Sequence, residues 1–198
     1  MEGVIKSDLY VRPVEDFLRS PPRNFARSAY ATELNPWGKK GDIEATLLFR
    51  GAIVSAMGAI ETNLGELALR CSRLEQYAAI RSTFPYSFKN RVKFLRQAFD
   101  LEPLARHQQI ANQFFNRVES LFASRNLVAH ARMQVMPDWG VTFHHFPESS
   151  KDGVTTSQRR FVLDDLENLA WRSAKLSRLQ QYLLNRLDNE ELLPKLGD

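Results

Sequence analysis

The chain has 198 residues, 43% hydrophobic and 25% charged, which suits one domain with a real core and excludes global disorder. Its formal net charge of +4 favours anionic partners, and the lone Cys71 excludes an internal disulfide and fits a reducing cytoplasm. The apolar runs read as too short and too often broken by charge to span a bilayer, and "MEGVIKSDLY" lacks the basic-then-apolar pattern of a secretory leader.

Residues 1–41 read as an irregular arm, because Pro13, Pro21, Pro22 and Pro36 interrupt any long element, although "PVEDFLRS" suits a short helix. The loop "NPWGKKGD" ends at Asp42, a candidate N-cap for a helical domain over 42–190. From 43 to 82, Phe49, Ile53, Met57, Ile60, Leu64 and Leu67 recur every three or four residues and form one apolar helical stripe. Gly51, Gly58 and Gly65 lie seven apart on the same helix, each costing about 1 kcal/mol against alanine. That cost predicts close approach of another backbone, from this chain or from a second copy. Glu61 falls between the apolar stripe and the glycine face, where a carboxylate needs a partner.

"YSFKNRVKFLRQAFD" predicts a second helix with Val92, Leu95 and Phe99 inward and a basic outer face of Lys89, Lys93 and Arg96, either a solvated surface or a contact for RNA phosphates. A long third helix is expected over "LEPLARHQQIANQFFNRVESLFASRNLVAHARM", with Pro103 near its first turn and His107 exposed. Residues about 132–162 carry β-branched and aromatic content between two turns and predict a small antiparallel hairpin or three-stranded meander. "LDDLENLAWRSAKLSRLQQYLLNRL" closes the chain as an amphipathic helix burying Leu163, Leu166, Leu169, Leu176, Leu179 and Leu183. The expected fold class is all-α, an antiparallel helical bundle with one β excursion before the last helix.

Within the third helix, "SRNLVAHARM" breaks the apolar pattern. At 100° per residue, Phe114, Val118 and Leu121 form a tight stripe, and Arg125 falls within about 20–40° of each. Asn126 and His130, four apart, stack on the adjacent face. A guanidinium ending a core-facing stripe needs a counter-ion, and Glu61 is the candidate; the alternative is that the helix stops near 124 and Arg125 reaches solvent.

The run "RNLVAH" resembles the R-x4–6-H signature of the HEPN superfamily, commonly Arg-Asn, three residues, then His. Chance supplies about one Arg/His pair at those spacings here, but only about 0.06 with Asn after the Arg. The order of a helix with an acidic residue, a short basic helix, the motif helix and a terminal helix is also similar to that family, over roughly residues 43–188. The arm and the hairpin look like additions.

The resemblance implies a metal-independent endoribonuclease of toxin or antiviral-defence type, without a cofactor, in which two motifs meet across a homodimer, with a separate antitoxin protein as its expected inhibitor. Its chemistry is sensible on first principles: attack of a 2′-OH on the adjacent phosphate wants a base, an acid and a fixed cation. His130 is the expected acid/base, Arg125 the phosphate stabiliser, Asn126 an orienting group and Glu61 the anchor of Arg125. Products would carry 2′,3′-cyclic phosphate and 5′-OH ends. The competing expectation is a non-catalytic helical module that holds RNA, a nucleotide or a protein partner. No phosphate-binding glycine loop, H-E-x-x-H or paired Cys is present; His144 and His145 point to opposite faces of a strand, and Arg159, Arg160 and Trp139 are only weak candidates for an RNA track.

Overall fold

A computed structural model describes residues 38–81, 83–136, 140–145 and 157–195. The arm before Gly38 and Trp139 therefore lie outside the described residues. The elements are α1 (Lys40–Ser72), α2 (Glu75–Ala78), α3 (Phe88–Phe99), a 3₁₀ turn (Ala105–His107), α4 (Gln108–His130), β1 (Arg132–Met136), β2 (Gly140–His145), β3 (Ser157–Phe161) and α5 (Leu163–Asn189). The expected helical fold with a small β excursion is what forms.

Helix α1 buries Ile53, Met57, Ile60, Leu64 and Leu67 completely or nearly so, as the stripe predicts. Its start differs from expectation: Lys39 is the N-cap and Asp42 sits inside the first turn, where a carboxylate still complements the helix dipole. Contrary to the sequence reading, α1 is long and apolar enough by length and composition to cross a membrane. The reason is its outer face, where Gly51, Ala52, Ser55, Ala59 and Thr62 are small and uncharged. The predicted backbone approach to the glycines is absent among the described residues: a Cβ at Gly51 or Gly58 would meet nothing within 4 Å, and one at Gly65 would meet only the Arg91 side chain, 3.5 Å away.

Helix α3 starts at Ser87, whose hydroxyl accepts the Asn90 N–H, and buries Val92, Leu95 and Phe99. It lies antiparallel to α4, with Phe88 stacked on Phe122 at 3.8 Å and Phe99 edge-on to Phe115 at 5.9 Å. The third helix is shorter than the pattern suggested. Residues 101–104 form a turn to which the Tyr77 hydroxyl donates at Glu102 O, 3.0 Å away.

Helices α1 and α5 pack side by side and run in the same direction. Gln180 Nε2 donates to Ile60 O at 3.1 Å, and further along both helices Arg70 pairs with Asp188. This corrects the antiparallel expectation: α4 runs back against both and ends beside Arg50 near the start of α1, where the sheet leads into α5. The sheet is the three-stranded meander β1-β2-β3, antiparallel throughout. Met133, Val135, Val141, Phe143 and Phe161 form its buried face. Gly140 has φ +82°, and a Cβ there would lie 2.2 Å from Phe161 O, so only glycine serves at that strand start.

Candidate functional site

Arg125 lies where the projection put it, at the end of the α4 stripe and facing α1. Its Nη2 is 3.0 Å from Glu61 Oε1, its Nη1 donates to Asn126 Oδ1 at 2.9 Å, and its guanidinium sits 5.8 Å from the Phe122 ring centre. The two charged side chains are 19% and 26% exposed, so the pair is largely desolvated and one partner without the other would be costly. The contact is close but poorly aligned. Glu61 Oε1 and Arg125 Nε are buried and lack a well-formed hydrogen bond among the described residues. Hydrogen-bonding capacity left unused in a desolvated site costs about 1–3 kcal/mol per group.

The anchor is itself held. Arg91 bridges from α3, donating through Nη1 to Glu61 O at 3.3 Å and through Nε to Pro85 O at 3.1 Å. A second unforeseen residue, Arg50, donates to Ala129 O at 3.1 Å and Ala131 O at 3.3 Å. It closes the C-terminal carbonyls of α4 beside His130 with a cation, the favourable charge at that end of the dipole. Both residues are polar groups on otherwise packed faces, the same signal that singled out Glu61.

Asn126 is half-buried and His130 is exposed. Arg125 and His130 are five positions apart, about 140° around the helix, so Asn126 lies between them in direction. Among the described residues His130 makes no hydrogen bond or ion pair. One chain thus gathers Glu61, Arg125 and Asn126, and presents a single imidazole beyond them.

The basic face of α3 divides. Lys89 and Lys93 are exposed, whereas Arg96 is turned inward to Asn112 at 3.0 Å, Asn116 at 2.7 Å and Glu119 at 2.8 Å, and lies over Phe115. Arg96 is therefore a tie between α3 and α4, and of the three cations expected on one outer face only the two lysines are exposed. His107 also departs from expectation. It is 3% exposed, and its Nε2 is 2.9 Å from Glu190 Oε2. Cys71 is buried, and burial pushes its thiol up to about 12, which removes it as a nucleophile. His144 is half-buried on β2, and Arg159 lies over the Phe161 ring at 5.0 Å.

Compared with known proteins, the chain matches no family model, no curated protein and no solved structure.

Proposed function

We propose that the chain is a metal-independent endoribonuclease of the HEPN type, acting as a homodimer in the cytoplasm as a toxin or defence effector under a separate antitoxin protein. The observation that carries this reading is the Glu61–Arg125–Asn126 cluster at the end of a core stripe, one turn from His130. An arginine so placed is fixed in direction by its counter-ion, as a stabiliser of developing phosphate charge must be. A bundle that needed only stability would gain as much from an apolar residue there.

The reaction follows from these groups. A 2′-oxygen bonds to phosphorus and the bond from phosphorus to the 5′-oxygen breaks. One imidazole takes the 2′ proton, and a second, protonated imidazole gives a proton to the leaving 5′-oxygen. A single chain offers one such imidazole in the motif, so a two-fold partner supplies the other. Asn126 orients the phosphate, and Lys89 and Lys93 hold the flanking backbone.

The test is purified chain with total RNA in EDTA, beside His130→Ala. Cleavage that survives chelation, leaves 2′,3′-cyclic phosphate ends and disappears in the variant is expected. Intact RNA with the wild-type dimer would overturn the proposal. It would favour the second reading, a non-catalytic module that binds RNA, a nucleotide or a protein. One observation supports that alternative: His130 has no orienting partner among the described residues, and both Nη atoms of Arg125 are already engaged.

A further inference from the structure

On the flank of α4 that faces α5, a cleft of about 340 Å³ has a floor of Leu121, Leu176 and Leu179 and a rim of Arg117, Arg172 and Lys175. Among the described residues none of these three cations has an ion-pair partner. Three like charges around one cleft repel one another, and an anion between them relieves that repulsion. The positive character continues along α5, whose sequence from Asn168 to Leu187 contains no carboxylate.

The outer face of α5 adds a second feature. Trp171, Lys175, Arg178 and Tyr182 follow at spacings of four, three and four, so they share one side of the helix. Trp171 and Tyr182 are 62% and 67% exposed, large rings that the core does not use. They stand eleven residues apart, about 16 Å along the axis, with cations between them. The Arg178 guanidinium already lies 5.8 Å from the Trp171 ring.

We propose that the α4/α5 cleft and the adjoining face of α5 bind a single-stranded nucleic acid, with phosphates on Arg117, Arg172 and Lys175 and unpaired bases stacked on Trp171 and Tyr182. Aromatic rings interleaved with cations recognise this ligand class, because every base has a stacking face and every linkage a charge. A duplex hides its base faces from such rings. A membrane surface fits less well, since an interfacial helix needs a free aliphatic face and α5 turns Leu166, Leu169, Leu176, Leu183 and Leu187 into the core. The cleft opens toward α5, whereas Arg125, one turn beyond Leu121, is paired with Glu61 on α1, and Asn126 and His130 lie about 140–180° around α4 from Leu121. Binding there stands whether or not the motif cuts RNA.

Fluorescence anisotropy with a labelled single-stranded DNA of about 15 nucleotides tests this, because DNA lacks the 2′-OH and cannot be cut by that route. The full chain should bind it with an affinity that falls with salt. Trp171→Ala with Tyr182→Ala should weaken binding about thirtyfold or more at fixed salt and leave the salt slope unchanged. Arg117→Ala with Arg172→Ala and Lys175→Ala should flatten the slope by about two. His130→Ala should bind like wild type, so loss of cutting with binding retained touches only the nuclease reading. All eight altered residues are exposed, so unchanged melting temperatures check that the variants fold. The proposal is overturned if both sets bind like wild type, if Lys89→Ala with Lys93→Ala abolishes binding instead, or if duplex DNA competes equally well. Binding to phosphatidylserine vesicles but not to the oligonucleotide would also overturn it.

Discussion

The two ends of α4 carry the same three residue types and use them differently. At the N-terminal end, Glu190 receives His107 at 2.9 Å, Arg106 at 3.0 Å and Arg186 at 2.9 Å. The Arg186 hydrogen bond first, and the His107 bond next, hold the Glu190 carboxyl below its usual range. At the C-terminal end, Glu61 meets Arg125 alone at a poor angle, and His130 stands in solvent. An Arg, a His and a Glu do not by themselves mark a site. The difference is unused hydrogen-bonding capacity: the first cluster is filled by the fold, the second is left open to something else.

The largest effect that would sharpen this contrast is on the two histidines. His130→Ala should reduce RNA cleavage about 10²–10⁴-fold with no change in melting temperature, measured by initial rates and calorimetry. The mirror variant, His107→Ala, should leave the cleavage rate of folded protein intact and cost about 1–3 kcal/mol of stability, because it removes the buried partner of Glu190. Denaturant titration checks it. Swapped outcomes would break the comparison.

A smaller effect is expected at the carboxylate. Glu61→Gln keeps the shape but not the charge beside Arg125, so the guanidinium loses its fixed direction. Cleavage should fall about tenfold through misplacement, with a stability loss of about 1 kcal/mol for a pair still partly exposed to water. A stability loss with full activity would make Glu61 a structural counter-ion like Glu190.

The same helical period explains what the sequence disclosed and what it hid. Arg125 was legible because it extends the run Phe114, Val118, Leu121 by four residues, and Glu61 because it interrupts two packing faces. Followed backwards, that run continues through Ala111 to His107, which shares the phase of Arg125 after five full turns. His107, early in the expected third helix, reads as exposed because a helix start looks solvated. The partner that buries it, Glu190, is 83 residues away and carries no local sign. Arg96 failed for a similar reason: spacing places it beside Lys89 and Lys93, but only the packing of α3 on α4 brings Asn112, Asn116 and Glu119 within reach. The glycines show the opposite case within one chain. Their heptad spacing is real, yet α5 packs on a different side of α1 and leaves Gly51 and Gly58 open.

A pH series should separate the two clusters more finely. A carboxylate whose folded pKa is lowered contributes stability that is fully present above its unfolded value, about 4.3, and is lost as pH falls through the folded one. Wild type should therefore lose melting temperature below about pH 4 more steeply than Glu190→Gln. Parallel curves would show that Glu190 is not a principal acid-sensitive contact.

The smallest expected effect is at Arg106, and it shows how far the closed cluster is redundant. Arg106 is 52% exposed and shares Glu190 with Arg186 and His107, so its removal leaves the carboxylate with two partners. Exposed ion pairs of this kind contribute about 0–1 kcal/mol, and here the other partners absorb the loss. Arg106→Ala should change stability by less than about 0.5 kcal/mol and cleavage not at all. Arg125→Ala is its counterpart at the open end, where among the described residues no second cation pairs with the Glu61 carboxylate. There the same truncation should abolish cleavage and leave Glu61 without its counter-ion. If the two substitutions proved equally mild, the open end would be a structural ion pair and the asymmetry along α4 would carry no functional meaning.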